Sequence, residues 1–170
     1  ALSPDGITLY FTSNRTAEML RDASSDEPVE GQRPWSATIR AHPGLMQFDL
    51  YAARRTSSET GEVPEGGEAR GDWSEPVAVT AANRADANEG ASFVSPNGAY
   101  LYFASDRLRR GPQQRDFDIY RLPLRDMHGL VENLGPSVNT SANETEPSLS
   151  PEGFTLLFSS DRQTEEGTAS

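Results

Sequence analysis

The chain has 170 residues, 15 Lys plus Arg against 26 Asp plus Glu, a net charge of −11 and no cysteine. That balance excludes a general binder of nucleic-acid backbones, whose affinity comes from basic side chains neutralising phosphates, and the lack of Cys excludes a disulfide framework or a thiolate metal site. The length allows one domain burying roughly two-thirds of its unfolded surface, while an apolar share of 35% is low for a globular domain and predicts that part of the chain is loop.

Every basic residue is arginine and none is lysine, a usage that fits a GC-rich bacterial genome. No run reaches the roughly 20 apolar residues of a membrane span. Ala1-Leu2-Ser3-Pro4 has neither the basic nor the apolar region of a signal peptide. The chain opens in mid-repeat and reads as a piece of something longer.

Ser3-Pro4-Asp5-Gly6 is turn chemistry, with Pro presetting φ at the second position and Gly at the fourth. Leu9 and Phe11, two residues apart, predict a returning strand. Tyr10 between them is also large and apolar, which predicts burial of both strand faces. After Asn14-Arg15, residues 16–47 read as an inserted surface loop with a short helical pattern at 17–21. Its Arg33, Trp35 and Arg40 are weak candidates for binding. Phe48-Asp49-Leu50-Tyr51-Ala52 is the next predicted strand. Residues 56–72, rich in Ser, Glu and Gly, form a second insertion that reads as flexible. Trp73-Ser74-Glu75-Pro76 leads into a strand over 76–79, and Asn83 with Asn88-Glu89 closes the unit.

The same order then recurs. A strand at 91–94 precedes Ser95-Pro96-Asn97-Gly98, a strand carrying Leu101 and Phe103, and Asp106-Arg107. The strand Phe117-Asp118-Ile119-Tyr120-Arg121-Leu122 follows, then a weaker one near Asn133-Leu134-Gly135, and Asn139 with Asn143-Glu144. A third copy begins at Pro147-Ser148-Leu149 and runs through Ser150-Pro151-Glu152-Gly153, Leu156 and Phe158, to Asp161-Arg162. The two insertions account for nearly all of the extra length of the first copy. Recurrence at this spacing marks a repeat architecture.

Ser-Pro-x-Gly-x-x-Leu-x-Phe-x-Ser-Asp-Arg, the Asp-Leu/Ile-Tyr of Asp49–Tyr51 and Asp118–Tyr120, and Trp73-Ser74-Glu75-Pro76 together resemble the WD40-like PD40 β-propeller repeats of bacterial TolB-propeller-like proteins. The second copy departs by offering Leu134-Gly135-Pro136 where the Trp-x-x-Pro signature would stand. The resemblance implies an all-β fold of four-stranded antiparallel blades: residues 1–89 as a first blade lacking its opening strand, 90–144 as a second, and 145–170 as the first half of a third. A propeller closes with at least four blades, so the rest of the ring would come from further sequence. The resemblance also implies a non-catalytic platform for a protein, peptide or ligand, in the periplasm or cell envelope. The alternative is the propeller of an enzyme, a peptidase or a lyase, whose chemistry lies outside these residues.

Candidate sites within the chain are few. Asp106-Arg107 and Asp161-Arg162, with Asn14-Arg15 in the first copy, recur in every repeat, which favours a structural role: satisfying turn backbone, or pairing with Asp49 or Asp118. Asp116 and Asp118 flank Phe117 on one strand face but lack the oxygen spacing of a calcium loop. His42 and His128 have no second ligand at helical spacing. No nucleophile elbow or phosphate-cradling loop is present, so no catalytic, cofactor or metal residue is assigned. Arg109, Arg110 and Arg115 form a basic island in a loop, a weak candidate for docking an acidic partner.

Overall fold

The computed structural model describes residues 1–14, 47–56, 73–108, 115–125 and 129–163. Among these there is no helix, and nine strands form three antiparallel sheets. The first sheet joins β1 (Thr8–Ser13), β2 (Asp49–Arg54) and β3 (Val77–Ala78) in that order. The second joins β4 (Glu89–Val94), β5 (Tyr100–Ser105), β6 (Asp118–Pro123) and β7 (Glu132–Asn133), and the third pairs β8 (Glu144–Leu149) with β9 (Leu156–Ser160). The helical pattern at 17–21 lies outside the described residues, as do nearly all of both insertions. Glu89 and Glu144 open strands, and so belong to the sheets that follow them.

The three Ser-Pro-x-Gly segments fold alike. In each, the Gly amide donates to the Ser carbonyl at 2.8 Å, and Gly6, Gly98 and Gly153 sit at φ of 72°, 67° and 79°. The Ser hydroxyl then accepts the amide of the first residue of the returning segment, from Thr8 at 2.8 Å, Tyr100 at 2.9 Å and Thr155 at 3.3 Å. Serine therefore both starts the turn and fixes where the strand begins, which sets the register.

Register decides which residues pack. Tyr10 pairs with Ala52 and Thr12 with Leu50 in the first sheet, while Leu101 pairs with Leu122 and Phe103 with Tyr120 in the second. Tyr10, Leu50, Val79 and Ala82 meet Leu101, Phe103, Tyr120 and Leu122 in one apolar cluster, so two sheet faces close on each other. β8 packs against β4, β5 and β6, covering the other face of the second sheet. Leu101, Phe103, Ile119 and Leu122 are fully buried there, and Tyr102 between them is only 9% exposed. In the third sheet only one face is covered: Leu157, at the position of Tyr102, is 59% exposed.

Candidate functional site

The recurrent polar residues meet at the junctions between sheets, and they do so twice in the same way. At the first junction Glu89 and Ser105 are fully buried. Ser105 Oγ donates to Glu89 Oε1 at 2.7 Å, and Arg107 pairs with the same oxygen at 3.2 Å while its Nε donates to Ser105 Oγ at 3.0 Å. At the second junction Ser160 Oγ donates to Glu144 Oε1 at 2.9 Å, Arg162 pairs with that oxygen at 3.1 Å, and Arg162 Nε donates to Ser160 Oγ at 2.9 Å. Each guanidinium also reaches back to the preceding sheet's closing loop, at the carbonyls of Ala82 and Val138. Each stacks on an aromatic ring of its own sheet: Arg107 lies 4.6 Å from the Tyr120 ring and Arg162 lies 5.3 Å from that of Phe158.

Asparagines complete the junctions. Asn88 donates its backbone and side-chain amides to the two oxygens of Asp106, at 2.6 and 2.8 Å, and accepts from the Phe48 amide at 3.0 Å. Asn143 repeats this with Asp161, at 2.7 and 2.8 Å, and with Phe117 at 3.1 Å. Asn83 and Asn139 pair edge-on with the backbone of Leu50 and Ile119, both accepting and donating, as a strand would. These groups satisfy backbone that the sheet interface would otherwise strand.

The carboxylate that Arg107 meets is therefore Glu89, and that of Arg162 is Glu144, rather than Asp49 or Asp118. Burial pushes the Glu89 carboxyl up and the Arg107 guanidinium down, each opposed by the other's charge and by hydrogen bonds. Asp118 Oδ2 accepts from Asn133 at 2.9 Å. Asp49 stands at the equivalent place in the first sheet, where Ala78 replaces Asn133 opposite the tyrosine. Its Oδ1 is buried with no hydrogen bond, and burial raises its carboxyl.

Of the sequence candidates for binding, only Arg115 is described; it is exposed and donates to the Asp86 carbonyl. Arg15, Arg33, Trp35, Arg40, His42, Arg109, Arg110 and His128 lie outside the described residues. Trp73 forms a bridge with Arg55, whose guanidinium lies 5.3 Å over its ring. No cluster of three His, Cys, Asp or Glu side chains that could hold a metal ion exists among the described residues.

One cleft of about 560 Å³ opens between the turns of the second and third sheets, within the size range of ligand pockets. Tyr100 and Tyr102 form its floor, their ring centroids 6.4 Å apart and edge to face. Arg121 lies 4.6 Å over the Tyr100 ring and is held by Glu132 at 2.7 Å. Pro96 and Pro151 line it, and Phe154 stands at it 93% exposed.

The corresponding turns of the first two sheets lie closer together. A Cβ added to Gly98 would lie 4.0 Å from the Pro4 ring, whereas one on Gly153 would meet nothing within 4 Å. The register explains the difference, since the first sheet has Thr8 and Ala52 where the second has Tyr100 and Arg121. Comparison of the copies strand position by strand position is the signal that would have marked Tyr100, Arg121 and Phe154; the shared motif conceals them. No protein-family model matches the chain, and no curated protein matches it.

Proposed function

We propose that this chain is an arc of a bacterial β-propeller of the PD40, TolB-like kind, each sheet forming one blade, and that it serves as a non-catalytic binding platform in the cell envelope. The observation that carries this reading is the repeated junction. The same Glu-Ser-Arg and Asn-Asp clusters stand at the second and third sheets, and each reaches back to the preceding sheet in the same way, through the carbonyls of Ala82 and Val138 and the amides of Phe48 and Phe117. A like joint repeated at each step sets successive sheets in a similar relation, which is how radial and solenoid repeat proteins grow. A platform role agrees with the use of the recurrent Asp, Arg, Ser and Glu side chains inside junctions.

The test is a structure of the whole reading frame together with a pull-down from an envelope extract. A closed ring of similar sheets that retains a specific partner is the expected result. An open sandwich, or a ring that retains none, overturns the reading.

A further inference from the structure

We propose that the cleft between the turns of the second and third sheets binds an extended, proline-containing peptide that carries basic residues. This deepens the platform reading and rests on it. The cleft is built from what distinguishes the copies. Tyr100 and Arg121 hold apart two turns that Thr8 and Ala52 allow to lie closer together in the preceding pair.

Its surfaces select the ligand. The floor strands β5 and β6 are paired on both sides within their sheet, so they offer no edge for an added strand, which removes recognition by β-augmentation. What remains is a set of ring faces: Tyr100, two prolines and the exposed Phe154, over the buried Tyr102. Aromatic-lined grooves of this kind receive polyproline II segments, which are already extended and lose little entropy on binding.

Charge fixes the flanks. Arg121 is neutralised by Glu132 at 2.7 Å, and among the described residues the remaining charge lining the cleft is that of Glu152, which is exposed. In a chain of net charge −11, a peptide with Arg or Lys beside its prolines is attracted and an acidic one is repelled.

The probe is a fluorescein-labelled decapeptide with two prolines between arginines, followed by fluorescence anisotropy on the full chain. Binding is expected to weaken at least tenfold in Phe154→Ala and in Tyr100→Thr, the size of a lost aromatic anchor. It is also expected to weaken at least tenfold when glutamates replace the peptide's arginines. Phe154 is so exposed that its removal leaves the fold intact, which the melting temperature verifies. Unchanged binding to Phe154→Ala, no binding by the intact chain, or capture of chitohexaose in place of the peptide overturns the proposal. An envelope partner retained in full by Phe154→Ala overturns the cleft as its site and leaves the platform reading standing.

Discussion

Arg107 shows how much of a residue's role depends on a neighbour from another part of the chain. Its side chain is 11% exposed and that of Glu89 is 0% exposed, so deleting the guanidinium leaves a buried carboxylate without its counter-charge. Arg107→Ala is expected to cost about 3–5 kcal/mol by denaturant unfolding. Arg162→Ala is expected to cost less, because Arg162 is 35% exposed and water replaces part of what is lost. Equal losses would mean that burial does not set the value of the pair. The recurrence of Arg was legible in the sequence, but its partner was not, since strand periodicity fixes which face a residue occupies and says nothing of which carboxylate on the neighbouring strand stands opposite.

Asp49 adds a pH dependence. Burial raises its carboxyl above 3.8, so the folded chain keeps this proton at pH values where the unfolded chain has released it. The stability involved is present in full below that value and is lost as pH rises through the raised one. Asp49→Asn should therefore raise the melting temperature slightly at pH 7 and give no gain at pH 3.5; a gain of the same size at both would rule out titration as the cause.

At the scale of elements, the turns were the most legible features because Pro and Gly carry backbone information. Gly98 has φ of 67° and room for a methyl group, the nearest atom lying 4.0 Å away. The cost of Gly98→Ala is thus conformational, and about 1–2 kcal/mol is expected from chemical denaturation. A neutral result would show that the turn relaxes to another type. The bulges were not legible. β4 and β8 each shift register between paired residues, and Ala91 and Glu146 take φ of 48° and 55° there. Neither residue type favours the left-handed region, so the bulge conformation leaves no mark in the sequence. The last strands of the first two sheets were only partly visible. β3 and β7 have two residues each, too few for periodicity to register.

Over the whole molecule, the repeats predicted similar sheets, yet their surroundings make them unequal. Leu101, Tyr102 and Phe103 of β5 are 0%, 9% and 0% exposed, while Leu157 of β9 is 59% exposed, although the two strands carry nearly the same residues. The second sheet is covered on both faces and must lose two junctions before its inner strands meet solvent. The third must lose one. In repeat arrays the opening free energy of a unit follows from its own stability plus its interfaces, and amide exchange reports that free energy locally. Amides of β5 and β6 are therefore expected to exchange more slowly than those of β9 in native-state hydrogen exchange followed by mass spectrometry. Arg162→Ala, which loosens only the second junction, should speed β8 and β9 more than β1 and β2. Uniform acceleration of all three sheets would mean that the array opens as one cooperative unit, and the junctions would then transmit stability along the chain rather than divide it.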